Sequence, residues 1–186
     1  MMDQRTPTTT SGWDRKHIVL IGFMCSGKST VGKVLAPLLS VPFSDIDRMV
    51  EQRVGPLVPF FNEHGEEAFR SLERQVLLEQ LAAPRSVIAT GGGTPCEGDN
   101  LAAMKAAGVV IWLDVPMPAL MPRIVRAGGD RPLLLGLRGE ALERRVTELM
   151  HARSDCYAQA DIIVQAGAPV SEVASRIQQV LDFQAK

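Results

Sequence analysis

The sequence predicts an α/β fold, a three-layer, doubly wound sandwich around a five-stranded parallel sheet. Short apolar runs alternate along the chain with longer segments whose apolar residues recur at helical spacing. The run 109–113 is uniformly apolar, as expected for a strand that helices cover on both faces. The length of 186 residues, 46% of them hydrophobic, suits one domain with its own core. Strands that alternate with helices throughout indicate a parallel sheet with helices on both sides.

The individual elements follow from periodicity and from glycine and proline boundaries. The first helix has apolar residues at Val31, Val34, Leu35 and Leu38, and Gly55 closes the second. The strands are predicted at 17–22, 41–45, 86–90, 109–113 and 161–164. The helices are predicted at 28–39, 46–54, 57–63, 65–81, 100–107, 118–127, 139–152 and 170–183. Residues 1–15 are polar and Thr-rich, so we expect a disordered tail before a single domain at 16–186.

Composition excludes several classes of function. The 20 basic and 21 acidic residues give a net charge of −1, which disfavours nucleic acid or a membrane surface as partner. No run of apolar residues is long enough for a membrane span, and residues 1–15 lack the apolar segment of a signal peptide. The three cysteines and three histidines are scattered, without disulfide or zinc spacing. We therefore expect a cytoplasmic protein in a reducing compartment, and no long apolar strip demands a dimer, so we expect a monomer.

The strongest motif is a phosphate loop at residues 22–29, which fits G-x-x-x-x-G-K-[ST] between a predicted strand and a predicted helix. Successive backbone N–H groups and the helix N-terminus would hold a nucleotide phosphate there. Lys28 would reach the β- and γ-phosphates, and the Ser29 hydroxyl would bind Mg²⁺. The predicted ATP-binding residues of this loop are Cys25, Ser26, Gly27, Lys28, Ser29 and Thr30. Cys25 is either a small filler or a thiol whose oxidation blocks nucleotide binding.

The loop by itself does not name the reaction. GTPases need an N-K-x-D segment that reads guanine, and the sequence contains none. Motors and helicases need a larger chain, so a kinase of a small molecule or a nucleotide is the natural class for this length. In a doubly wound sheet its second substrate would bind beyond the carboxyl ends of the strands.

Three segments at those strand ends carry candidate substrate residues. Asp45 and Asp47 follow the second strand and could serve a metal ion and a substrate hydroxyl, or one of them could cap a helix. Arg70 and Glu73 lie one helical turn apart, either as a surface pair or with Glu73 orienting Arg70 toward an anion. The glycines 91–93 offer bare backbone to a ligand or form a tight turn.

The aperiodic segment at about 126–138 has the composition of a lid. Its glycines supply hinges, and Arg131 supplies a cation that could reach a transferring phosphoryl group; a solvated loop with incidental arginines is the alternative. Arg153 and Tyr157 lie at the end of the helix that follows, just beyond its predicted range of 139–152, and by themselves they indicate little about function.

Taken together, these motifs resemble the shikimate kinase family from about residue 18 to the end of the chain. The shared elements are, in order, the phosphate loop, Asp45-x-Asp47, Gly65-Glu-x-x-Phe69-Arg70-x-x-Glu73, Ala89-Thr-Gly-Gly-Gly93, Arg131-Pro-Leu-Leu and Arg153 before Tyr157. The resemblance implies strand order 2-3-1-4-5, as in nucleoside monophosphate kinases. It also implies that ATP phosphorylates the 3-hydroxyl of shikimate, with Mg²⁺, on the route to chorismate and aromatic amino acids.

The same resemblance assigns roles to individual residues. Asp47 would bind the ring hydroxyls and act as base, within a substrate region at about 45–75. Arg70 and Arg153 would hold the carboxylate, and the backbone of Gly91, Gly92 and Gly93 would touch the ring. Ser29 and, through water, Asp45 would hold Mg²⁺. Lys28 and Arg131 would be catalytic at the phosphates, while Arg126 and Pro169 would contact adenine.

Two alternatives remain open from the sequence. One is a kinase of another small substrate, such as a gluconate-kinase-like enzyme or a nucleoside monophosphate kinase. The other is a regulatory nucleotide-binding domain without catalysis, which would have lost at least one reacting group, whereas Lys28, Asp45, Asp47 and Arg131 are all present.

Overall fold

The computed structural model describes residues 16–128 and 132–184, and these form a parallel sheet with helices on both faces. The expected tail at 1–15 and the expected lid cation Arg131 lie outside the described residues. Five strands pair in the order β2-β3-β1-β4-β5, all parallel, which confirms the predicted fold class and strand order. The strands are β1 (His17–Ile21), β2 (Phe43–Asp45), β3 (Val87–Ala89), β4 (Gly108–Asp114) and β5 (Ile162–Gln165).

In the described part of the chain, seven α-helices connect and cover these strands. They are α1 (Lys28–Leu38), α2 (Ile46–Val54), α3 (Leu57–Ala82), α4 (Asn100–Ala107), α5 (Met117–Ala127), α6 (Gly139–Tyr157) and α7 (Val170–Gln184). Short 3₁₀ turns occupy Thr94–Cys96 and Pro132–Leu134. Within α3, Gly65 has φ 82°, so the helix is broken at the boundary predicted between 57–63 and 65–81. None of the helices in the described part of the chain is long and apolar enough to cross a membrane.

The core explains why the central strands read as unbroken apolar runs. Every residue of β1 and β3 is buried, whereas β5, at the edge, alternates buried and exposed side chains. Helix α1 packs against α7, and α3 packs against α2 and α4. The chain crosses to β2 and β3 on one side of β1 and then to β4 and β5 on the other. Such a reversal creates a crevice at the carboxyl ends of the strands, where α/β proteins bind ligands.

Helix α6 differs from its prediction in a way that matters for the site. The sequence predicts its end at 152, but the helix continues to Tyr157. The extra residues include Arg153 and Tyr157, which lie four apart and therefore on one face of a continuous helix.

Helix α1 packs closely against the sheet at Gly32. A Cβ built on Gly32 would collide with the Phe43 ring at Cε2. We expect Gly32→Ala to lower the free energy of unfolding by about 1 kcal/mol, because overpacking of roughly 1–3 kcal/mol exceeds alanine's helix preference of about 1 kcal/mol. Thermal or urea denaturation measures this difference. Lys33→Ala, at the next and exposed position, is the control and should leave stability nearly unchanged; a more stable Gly32→Ala variant would contradict the packing.

Candidate active site

The phosphate loop curls tightly between β1 and α1. Gly22, Cys25 and Gly27 have φ of 138°, 61° and 97°. A Cβ on Gly22 would lie 2.8 Å from the carbonyl oxygen of Leu113, so glycine is required there for space as well as for conformation. Cys25 holds a left-handed conformation with a side chain, which costs about 1–2 kcal/mol.

Two side chains of this loop, Lys28 and Ser26, carry buried hydrogen-bond donors. Lys28 is 7% exposed, and its Nζ donates to the carbonyl oxygens of Gly22 and Phe23, both at 2.8 Å. The Ser26 hydroxyl is buried without a hydrogen-bond partner among the described residues. The first turn of α1 carries no acidic side chain of its own that would neutralise the positive end of the helix. An unpartnered buried hydroxyl and a positive helix end fit a phosphate group as ligand.

Two cavities meet at Asp47. The first, here called the loop cavity, has about 220 Å³ and is lined by the phosphate loop together with Asp47, Thr90 and Gly92. The second, the arginine cavity, has about 100 Å³ and is lined by Asp47, Gly92, Arg70 and Arg153 among others. Because Asp47 and Gly92 line both cavities, a group bound in one would lie next to a group bound in the other.

The two aspartates after β2 have different surroundings. Asp45 is the N-cap of α2, and its Oδ1 accepts a hydrogen bond from the Arg48 backbone N–H at 3.3 Å. The capping alternative therefore holds for Asp45, which lines neither cavity. Asp47 lies in the first turn of α2 and lines both. The metal role expected of Asp45 stays a prediction.

Arg70 is oriented by a buried carboxylate. Its Nη1 donates to Oε2 of Glu73 at 3.0 Å, and the Thr94 hydroxyl donates to Oε1 of Glu73 at 2.6 Å. Glu73 is only 2% exposed, which favours the orienting interpretation over a surface ion pair. Burial raises the pKa of Glu73 against the lowering effect of Thr94 and Arg70, and the nearby Asp47 charge raises it further.

Two of the three glycines after β3, Gly91 and Gly93, leave space for charged side chains, an explanation that the sequence does not reveal. None of them has a positive φ. A Cβ on Gly91 would collide with the Glu73 carboxylate and lie 2.8 Å from Oδ1 of Asp47, and a Cβ on Gly93 would lie 2.9 Å from Nη1 of Arg70. Glycine here lets charged side chains reach the backbone.

Arg153 reaches the same cavity from α6. It is 8% exposed, and its guanidinium lies over the Phe23 ring, 5.8 Å from the ring centroid. One turn further, the Tyr157 hydroxyl donates to the Gly92 carbonyl oxygen at 2.5 Å. Burial raises the pKa of Tyr157, although the Arg153 charge works against this, so the phenol stays a donor. Arg153 and Tyr157 therefore both lie beside the glycine segment 91–93.

A third cavity, of about 500 Å³, lies on the other side of the phosphate loop. It is lined by loop residues, by the 166–170 segment that includes Pro169, and by Arg123. Arg126 is exposed and does not line this cavity. The adenine role expected of Arg126 stays a prediction, and Arg123, one helical turn earlier, is a cation that sequence reasoning missed. Helical spacing is the signal that could have found it.

Comparison with known proteins identifies the family to which the chain is similar. The family model described as shikimate kinase matches residues 24–182. A shikimate kinase of Persephonella marina is 40% identical over 169 residues, covering 88% of this chain and 99% of the relative. A solved shikimate kinase from Acinetobacter baumannii, in complex with shikimate, has a TM-score of 0.84 and 32% identity over 92% of this chain and 96% of that one. A gluconokinase from Sinorhizobium meliloti, 16% identical with a TM-score of 0.60, shares the fold alone.

Fold and site together define a phosphate-loop kinase with a second cavity lined by two arginines. Within that class, the chain belongs to the shikimate kinase family.

Loss of the Tyr157 hydroxyl should loosen the glycine segment. Tyr157→Phe leaves the Gly92 carbonyl without its donor in a partly buried place, so we expect the free energy of unfolding to fall by about 1 kcal/mol. Chemical denaturation with Trp112 fluorescence measures this, because the two rings lie 5.7 Å apart. Unchanged stability would show that the hydrogen bond contributes nothing.

Proposed function

We propose that this chain catalyses its family's reaction, the transfer of the γ-phosphoryl group of ATP to the 3-hydroxyl of shikimate, on the route to chorismate. The observation that carries the proposal is the position of Asp47, which lines both the loop cavity and the arginine cavity. A carboxylate between a phosphate site and a carboxylic-acid site is placed to receive the proton of an attacking hydroxyl.

The two arginines are proposed to hold the shikimate carboxylate. Arg70 and Arg153 come from different helices and line one cavity. A guanidinium presents parallel N–H donors that match a carboxylate, which fixes the orientation of the ring as well as its position. With the carboxylate held at one end, the ring hydroxyls would face Asp47 and the backbone at Gly92. Catalysis then depends mainly on positioning.

The phosphate loop is proposed to hold ATP. Lys28, which now donates to the Gly22 and Phe23 carbonyls, would reach the phosphates, and the loop N–H groups with the Ser26 hydroxyl would complete the phosphate contacts. Ser29, which lines the loop cavity, would hold Mg²⁺ with its hydroxyl, and the capped Asp45 would do so through water. When bound, Mg²⁺ neutralises charge that develops on the phosphates. Pro169 and Arg123 would border the adenine, with Arg126 nearby on the same helix.

The lid is proposed to exclude water when both substrates are bound. Pro132 and Leu133, next to Arg131 in the sequence, line the arginine cavity. Their position supports a lid that closes over this cavity, with Arg131 reaching the phosphates. We further expect a cytoplasmic monomer without nucleic-acid or membrane partners.

A substrate panel tests this function against its alternatives. We expect ADP release in a coupled assay with shikimate, and none above background with gluconate or nucleoside monophosphates. The arginine cavity favours a hydroxylated carboxylic acid, which gluconate also is, so gluconate is the sharpest competitor. Release with gluconate and not with shikimate would refute the assignment. No release with any acceptor, combined with tight ATP binding, would favour the regulatory alternative.

The role of Asp47 can be separated from nucleotide binding. Asp47→Asn keeps size and removes the proton acceptor, so we expect kcat to fall by about 10²–10⁴ with ATP affinity nearly intact. Steady-state kinetics and direct ATP titration measure the two quantities. Glu51→Gln, an exposed carboxylate on the same helix, is the control and should change neither. An equal loss of ATP affinity in Asp47→Asn would assign Asp47 to the nucleotide instead.

A further inference from the structure

Arg70 has a third carboxylate neighbour that no shared motif includes. Glu97 follows the 3₁₀ turn at Thr94–Cys96, and its Oε1 lies 3.5 Å from Nε of Arg70. Glu73 and Glu66 meet the two terminal nitrogens, at 3.0 Å and 3.1 Å. All three nitrogens of the guanidinium therefore face a carboxylate.

Glu97 acts on Arg70 as a charge. The Arg70 Nε–H is buried and makes no hydrogen bond among the described residues, so Glu97 does not accept from it. Burial works to lower the pKa of Arg70, but the charges of Glu73 and Glu97 and the bonds to Glu73 and Glu66 outweigh it, and the pKa is raised. The Glu97 side chain is 46% exposed, whereas Glu73 is 2% exposed. Glu73 is thus a fixed internal partner, and Glu97 is a peripheral one.

The charge around Arg70 opposes an anionic substrate. Glu66, Glu73 and Glu97 surround a single guanidinium, and Asp47 lines the same cavity. Glu97 itself is not among the residues lining the cavity, so it leaves the space for a ligand open. Its influence on a carboxylate bound at Arg70 is electrostatic repulsion over a short distance, near the protein surface.

We propose that Glu97 sets the affinity of the site for the substrate carboxylate, which it repels at Arg70. The assignment rests on the proposed function, in which Arg70 holds the carboxylate of shikimate. That carboxylate is remote from the reacting hydroxyl and is the same in substrate, transition state and product. Glu97 therefore weakens the binding of all three equally and leaves the chemical step unchanged.

The variant Glu97→Gln isolates the charge, because glutamine keeps the size and an acceptor oxygen. We expect the KM for shikimate to fall about two- to fivefold, the range that a half-exposed charge contact gives. The inhibition constant of shikimate 3-phosphate, measured in competition with shikimate, should fall by the same factor. The turnover number and the KM for ATP should not change. The effect should shrink as salt is added, because exposed charges are screened.

Two controls make the test specific. Glu67→Gln changes the net charge equally on the exposed face of α3, and we expect the shikimate KM to stay unchanged. The methyl ester of shikimate lacks the carboxylate, so Glu97→Gln should leave its KM as it is in the wild type. An equal gain for the ester would overturn the proposal.

Other outcomes would also overturn it. If Glu97 served to position Arg70, Glu97→Gln would be neutral and Glu97→Ala would raise the shikimate KM. If the wild type turns over shikimate normally while Glu97→Gln has an unchanged or higher KM, only the assignment of Glu97 fails. If the wild type does not phosphorylate shikimate, the proposed function and this assignment fail together.

Discussion

The substrate side of the cleft depends on one buried carboxylate. Burying Glu73 is unfavourable unless both of its oxygens are paired, and Thr94 and Arg70 pair them. These bonds join helix α3 to the segment after β3, so the helix that carries Arg70 and the glycine segment are held in one arrangement. They also dictate the sequence of the loop, because the carboxylate occupies the space that a side chain at Gly91 would need. The fixed direction of Arg70 follows from the same contacts.

The parallel sheet brings motifs that are far apart in the sequence to one edge of the fold. β1 and β3 are neighbours and run in the same direction, so the phosphate loop and the glycine segment leave adjacent strand ends. The approach is close enough that a Cβ on Gly92 would lie 3.1 Å from the Met24 backbone nitrogen. Asp47 comes from α2, which follows β2, the strand next to β3. Asp47 lines the cavity that the phosphate loop and Gly92 also line. The loop cavity and the arginine cavity therefore share a wall that includes Gly92 and Asp47.

The sequence predicts what depends on local pattern. The phosphate loop, the five strands and most helix limits are of this kind, and the family resemblance adds the strand order. Contacts between residues far apart in the chain are not readable in this way. The bond from Tyr157 to Gly92 spans 65 residues, and it required α6 to continue past its predicted end. Three other features likewise depend on how the elements pack. They are the space needed at Gly91 and Gly93, the position of Arg123 in the cleft, and the approach of Glu97 to Arg70.

Lys28 shows how a nucleotide site can be assembled in advance. Its ammonium group rests on two carbonyls of the loop it serves, which closes the loop on itself and keeps a cation in a nearly dehydrated place. An arriving polyphosphate therefore meets a cation that has already lost most of its water. On binding, the ammonium group can exchange its carbonyl contacts for charged phosphate oxygens, which are stronger hydrogen-bond acceptors. The ammonium group of an exposed lysine would have to lose water and adopt one conformation when the phosphate binds. For Lys28, both changes have already taken place on folding.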